Sequence, residues 1–232
     1  MPRMIEARDL KKSYHRGGRE LPVLRGVSCQ IPDGAFAVIV GPSGSGKSTL
    51  LYLLGALDEP TAGEVLLDGR SLGGLSHRER DALRRNELGF IFQSFNLLPN
   101  LTAVDNVLVP QLPQGVSAGD RERAGELLAA VGLGDRLDHR PGQLSGGEQQ
   151  RIAIVRALFR QPRYVLADEP TGELDSQRGA EVFEQLRGLQ TVTGATVVVV
   201  THDSRFLQPD DLIFEMADGR LVADEAALEG SV

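Results

Sequence analysis

The run Gly41-Pro42-Ser43-Gly44-Ser45-Gly46-Lys47-Ser48-Thr49 has the make-up of a phosphate cradle. Its pattern, G-x-x-x-x-G-K-[ST], lets backbone N–H groups wrap phosphate oxygens without side-chain bulk while a lysine reaches the outer phosphates. Gly41, Gly44 and Gly46 supply the close approach, with Ser43, Ser45 and Thr49 completing the binding run. Lys47 is a point charge for the β- and γ-phosphates, and Ser48 offers a hydroxyl to Mg²⁺. The chemistry predicted is binding of a nucleoside triphosphate, ATP, with Mg²⁺. A second constellation, Tyr164-Val165-Leu166-Ala167-Asp168-Glu169, is an apolar strand ending in two acids. Asp168 at the strand's carboxyl end is placed to hold a water of the Mg²⁺ shell, and Glu169 to polarise an attacking water as general base. A third, Leu144-Ser145-Gly146-Gly147-Glu148, opens a helix and offers N–H groups to another anion.

These residues need strands that stop at the site and helices that start there. Ala35 to Val40 reads as a buried strand running straight into the glycine loop, and Lys47 to Leu57 as a helix apolar on almost every face, buried under a sheet. Val23 to Ile31 reads as a strand before it, and Glu64 to Gly69 as a strand and turn after it. Turn signals at Pro99, Pro110 and Pro113 and an amphipathic segment from Arg121 to Val131, closed by Gly132, mark a helical insertion. Strand patterns resume at Tyr164, followed by a helix from about Arg178 to Leu189 and the buried run Thr196 to Val200. Apolar strands separated by helices predict a parallel sheet covered on both faces. Leu212 to Met216 and Leu221-Val222, joined by Asp218-Gly219, predict a closing hairpin.

At 232 residues with 41% hydrophobic and 25% charged content, one sizeable core suffices. A net charge of −7 argues against a broad nucleic-acid footprint. Arg3, Arg8, Lys11, Lys12, Arg16, Arg19 and Arg25 crowd the start, where a solvated strand edge accounts for them. The single cysteine, Cys29, excludes an intrachain disulfide and a cysteine-based metal cluster. No secretion signal is read at the start, and the apolar run Leu50 to Leu57 is too short to cross a bilayer, so any membrane role is expected to come through a partner.

With these motifs in this order, the chain resembles the ABC ATPase family over essentially its full length. The resemblance implies a P-loop NTPase fold: a RecA-like parallel core and an antiparallel β part formed by 1–90 and 161–232, with a helical signature subdomain at 91–160. It identifies Gln93 with the Q-loop glutamine that touches Mg²⁺ and the water site, Leu144 to Glu148 with the signature, and Leu174-Asp175 with the D-loop. His202 matches the switch histidine at the γ-phosphate, and Tyr14 the aromatic ring against adenine. A tyrosine packed on the core and a histidine that merely caps a turn are the plain alternatives for these last two.

In the family the signature faces the γ-phosphate held by another subunit, so two copies of the chain are expected to sandwich two ATPs head to tail. Gly89 to Pro99 and Ala167 to Asp175 look most like the group of lipoprotein-releasing, macrolide-exporter-type and cell-division ATPases (LolD, MacB and FtsE), although Glu173 stands where the family often has Asn or Ala. That group implies an ATPase on the cytoplasmic face of the membrane, driving a permease that docks near Gln93–Leu98, with Phe95, Asn96, Leu97 and Leu98 exposed to receive it. A soluble or regulatory ABC ATPase that switches a partner without moving cargo is the alternative. No long coiled coil separates Gln93 from Leu144, which disfavours the DNA-repair type.

Overall fold

The computed structural model describes residues 3–172 and 176–222, in two compact units. Glu173, Leu174 and Asp175 lie outside the described residues.

In the unit Met1–Arg80 with Val198–Val232, strands β1 (Met4–Arg16), β2 (Arg19–Pro32), β4 (Ala62–Leu67) and β5 (Arg70–Ser71) form an antiparallel sheet in the order β2-β1-β4-β5. Alternation puts Ile5 opposite Ile31 and Ala7 opposite Cys29 on the buried face, but the next buried residue is Leu10, opposite Val27. Strict period-two pairing would turn Asp9 inward. A bulge between Ala7 and Leu10 absorbs the extra residue, with Asp9 at φ 44° and its N–H donated to Ser28 Oγ at 2.9 Å. Burial pushes the Cys29 thiol up to about 12, so it stays protonated at neutral pH.

The solvated-edge reading holds for Arg19 and Arg25, exposed on the edge strand β2, and is corrected for the cations of β1. β1 lies inside its sheet, between β2 and β4, and three of its cations are matched by acids: Arg8 with Glu6 and Glu64, Lys11 with Asp9, Lys12 with Asp58.

Strand β3 (Phe36–Val40) pairs in parallel with β9 (Leu212–Ala217), Ala37 opposite Leu212 and Val40 opposite Glu215. β9 turns through Asp218 (φ 47°) and Gly219 (φ 76°) into β10 (Arg220–Leu221), the expected hairpin. Helix α1 (Lys47–Leu54) buries Leu50, Leu51, Leu53 and Leu54 and stops at Gly55, earlier than the apolar run suggested, because Ala56 adopts φ 54°.

The unit Asp81–Val197 carries β6 (Leu88–Ile91) parallel to β7 (Tyr164–Asp168), preceded by helix α2 (His77–Asn86), which starts in the other unit's span. Helices α3 (Ala103–Leu108), α4 (Ala118–Ala130) and α5 (Gly146–Leu158) share a core of Val104, Val107, Leu128, Ile152, Val155 and Phe159. α4 starts three residues before the amphipathic segment because Ser117 and Asp120 close a capping box. Helix α6 (Ser176–Thr193) leads to β8 (Thr196–Thr201), buried throughout. The hydrogen-bonding order of the six core strands is β10-β9-β3-β8-β7-β6. The parallel pairings and buried runs agree with the expected α/β architecture.

Phe95 contradicts the exposed docking segment. It is 6% exposed, and Phe95 and Asn96 both take left-handed conformations, φ 55° and 50°. The Arg156 guanidinium binds both carbonyls at 2.6 Å, turning the Phe95 ring inward. Leu97 packs on the helical core, while Leu98, anchored through its backbone by buried Asn106, stays 46% exposed. Phe95→Ala is therefore expected to destabilise the fold by about 3 kcal/mol, measured by urea unfolding. A change under ~1 kcal/mol would mean the ring is not part of the core.

Candidate functional site

The glycine loop runs from β3 to α1, where buried apolar residues on both elements fix its ends. Gly41 (φ 151°) has no room for a side chain: a Cβ would sit 2.1 Å from the Met216 carbonyl oxygen. Gly46 (φ 101°) is the N-cap of α1, and no side chain caps that helix. Its first N–H groups and dipole therefore face an open loop, the arrangement that accepts an anion. A Cβ on Gly44 would meet nothing within 4 Å, so the loop's outer rim is open. The buried Lys47 donates from Nζ to the Gly41 and Pro42 carbonyls at 2.8 and 3.0 Å. Ser45 is buried, and its Oγ has no hydrogen-bond partner among the described residues. An orphaned hydroxyl, an uncapped helix start and a buried ammonium in one loop fit a phosphate group. Ser43 is exposed; Ser48 and Thr49 are half-buried on the first turn of α1.

The floor of the loop comes from the far end of the chain. Gly219 N–H donates to the Ser45 carbonyl at 3.1 Å, and its own carbonyl accepts from Arg25 N–H at 2.8 Å. Sequence reading identified this turn only as a hairpin.

Tyr14 stands 39% exposed on β1, so the core-packed alternative does not hold. Its hydroxyl donates to Asp58 Oδ2 at 2.8 Å and is hydrogen-bonded with Thr49 of α1. Lys12 Nζ donates to Asp58 Oδ1 at 2.6 Å and lies 4.9 Å from the ring centroid. Burial and the Asp58 carboxylate hold the tyrosine hydroxyl above its ordinary range, partly offset by Thr49. Burial raises Asp58, but Lys12, the Glu59 N–H and Tyr14 together bring it below the usual carboxylate value. Nothing in the local sequence flags Asp58, because the network joins β1 to the segment after α1. With the ring fixed this way, Asp58→Ala is expected to raise KM for ATP by about tenfold, a loss of roughly 1.4 kcal/mol of base stacking, with kcat unchanged. Steady-state kinetics decides it; a fall in kcat alone would remove Tyr14 from nucleotide binding.

His202 is exposed directly after buried Thr201 at the end of β8. Asp203 beside it is held below its usual value chiefly by Arg205.

In the second unit Asp168 ends β7, buried, and Glu169 follows half-buried at φ 45°. Exposed Gln93 packs its amide against Gly172, where a Cβ would come within 2.8 Å of Nε2. Ser145 is the N-cap of α5: Glu148 N–H donates to its Oγ at 3.3 Å, and its own N–H and hydroxyl donate to Glu148 Oε2 at 2.8 Å. Those bonds, the backbone one foremost, hold Glu148 below its ordinary 4.5. This cap therefore stabilises α5 above the ordinary value and is lost as pH falls through the lowered one. Ser145, Gly147, Glu148 and Arg151 line a cleft of about 280 Å³ with Glu181 and Gln185 of α6. Asp175 lies outside the described residues. Among the described residues no group of three His, Cys, Asp or Glu could cage a metal, and no helix is long and apolar enough to cross a membrane. Mg²⁺ needs no such cage, since it is held by one or two protein groups plus phosphates and water.

A family model described as "ABC transporter" matches residues 24–172. The chain belongs to the ABC transporter family. As an ABC cassette it binds and hydrolyses ATP and has the P-loop NTPase fold. An ABC transporter ATP-binding protein of Thermotoga maritima is 49% identical over 95% of this chain and 94% of its own length. The LolD 1 ATP-binding protein of a lipoprotein-releasing system in Rhodopirellula baltica is 48% identical over 94% and 96%. The macrolide export ATP-binding/permease protein MacB of Brucella abortus is 49% identical over 95% of this chain, which spans 34% of that relative's length. Among solved structures, the dimeric post-hydrolysis state of the ATP-binding cassette MJ0796 with ADP and Pi has a TM-score of 0.84 and 42% identity, covering 94% of this chain and 96% of that one.

Proposed function

We propose that this ABC ATPase is the motor of a LolD-, MacB- or FtsE-like membrane complex, working from the cytoplasmic face. The observation that carries its chemistry is the cradle with an uncapped α1, a buried lysine and an orphaned Ser45 hydroxyl. Lys47 and the loop N–H groups bind the β- and γ-phosphates, Tyr14 stacks on adenine, and His202 contacts the γ-phosphate. Ser48, Asp168 and Gln93 hold Mg²⁺ or its water shell, which neutralises charge on the phosphates. Glu169 takes a proton from water as its oxygen bonds to the γ-phosphorus, and the bond to the β-phosphate oxygen breaks to release ADP and phosphate. The signature residues Ser145, Gly146 and Gly147, with Asp175, complete the site of a second copy, so ATP closes a head-to-tail dimer.

For the membrane partner, the support is a groove of about 250 Å³ walled by Arg85, Phe90, Phe92, Arg156 and Arg160. Arg156 binds only backbone carbonyls, Arg160 only the amides of Asn86, Gln111 and Gln114, and Arg85 has no ion pair among the described residues. Two cations without carboxylates, Arg85 and Arg156, beside two stacked phenylalanines suit an acidic, apolar segment of a permease. The paired variant Arg85→Glu, Leu98→Asp is expected to keep its ATPase rate in solution while losing a multi-span partner that the parent recovers from detergent-solubilised membranes of its source. Recovery of soluble proteins alone by the parent would instead favour a soluble switch.

A further inference from the structure

We infer that Gln150 is a positioning residue for Glu169, carrying the state of the signature helix into the placement of the attacking water. This rests on the reading of Glu169 as general base.

Gln150 lies on α5, 1% exposed, and its Nε2 donates to the Pro170 carbonyl at 2.9 Å. Its Oε1 is buried with no hydrogen-bond partner among the described residues. A packed core gains nothing from half an unpaired amide, since a leucine or methionine would fill the same volume without burying an unanswered acceptor. The bond to Pro170 is therefore what the amide contributes. Its target is the residue directly after Glu169, whose φ of 45° is a conformation that a non-glycine residue holds only when its surroundings impose it.

Contacts among the described residues help to impose it. Asp168 is fixed in β7, Gly172 N–H closes a turn on the Glu169 carbonyl at 3.0 Å, and Gln93 packs on Gly172. Gln150 adds a hold from another direction, and it alone among these comes from the helix that Ser145 starts. Gln150 lies five positions after Ser145, roughly 7.5 Å along a rigid helix. Here Ser145 spends its hydroxyl on Glu148. When Ser145 and the neighbouring N–H groups turn to a γ-phosphate on the second copy, α5 moves as a unit and Gln150 passes that movement to the Pro170 carbonyl. Glu169 then adopts its working position only when the dimer is closed, which ties hydrolysis to the sandwich.

The test compares Gln150→Leu, Gln150→Glu and Glu169→Gln with the parent for melting temperature, fluorescent-ATP affinity and hydrolysis. Gln150→Leu is expected to melt no lower than the parent, to bind ATP within twofold and keep its KM, and to lose on the order of 10- to 100-fold in kcat. Gln150→Glu covers the case in which the leucine variant misfolds. A carboxylate cannot donate to the Pro170 carbonyl but a carboxylic acid can, so its kcat relative to the parent's should rise as the pH is lowered, a change that mere loss of packing does not produce. Parent-like kcat in Gln150→Leu, or a flat pH ratio in Gln150→Glu, while Glu169→Gln is inactive, overturns the inference about Gln150 alone. Parent-like hydrolysis by Glu169→Gln overturns the general-base reading, and the positioning role with it.

Discussion

Glu169→Gln is expected to hydrolyse ATP 10²- to 10⁴-fold more slowly than the parent, the usual contribution of a positioned general base. Glutamine keeps the size of the side chain and removes its ability to take a proton. It also carries the same backbone cost at φ 45°, so folding stability is expected to stay level. With ATP and Mg²⁺ the variant should elute as a dimer and with ADP as a monomer, because the γ-phosphate is the group both copies hold. Two measurements decide this: phosphate release, and elution volume with each nucleotide. A rate within threefold of the parent would take Glu169 out of the chemistry, and a monomer in ATP would remove the sandwich.

The second large effect belongs to Lys47. Its ammonium is buried and bonded to the carbonyls of Gly41 and Pro42, so it ties the loop together before any nucleotide arrives. On binding, those bonds are joined or replaced by charge-assisted bonds to phosphate. Lys47→Ala gives up a hydrogen bond to a charged group, worth roughly 1.5–3 kcal/mol, or about 10- to 150-fold in ATP affinity. Titration with a fluorescent ATP analogue reads this directly, with circular dichroism confirming the fold. Arginine is not a conservative control, since its planar fork does not reproduce a compact ammonium inside a tight loop. Affinity unchanged in Lys47→Ala would mean that the loop holds phosphate by backbone alone.

How much of this was legible in the residues follows from how local each feature is. The places of the glycine loop, the strand-end acids and the helix start at Ser145 were readable because these features are fixed by residue type and spacing within a few positions. The buried runs announced parallel strands for the same reason. Phe95 was misread because a left-handed turn has no period: flanked by Ser94 and Asn96, a core ring looks like an exposed one until Arg156, far along the chain, claims its carbonyl. The β1 bulge at Asp9 and the pairing of Arg8 with Glu64 depend on cross-strand register, which residue type does not carry. Gln150 and Asp58 escaped because each looks like an ordinary polar residue and matters only through what it touches across the fold.

The Gly219 turn beneath the loop has a consequence during synthesis. The motif is translated early, yet the carbonyl of Ser45 meets its donor only after the hairpin that follows Met216 has left the ribosome. A nascent chain halted short of that turn carries every residue of the nucleotide motif but lacks the Gly219 bond to the Ser45 carbonyl. Nucleotide is thus expected to bind more tightly once translation has passed the hairpin, and ATP, as a ligand of the folded state, favours chains that have reached that point.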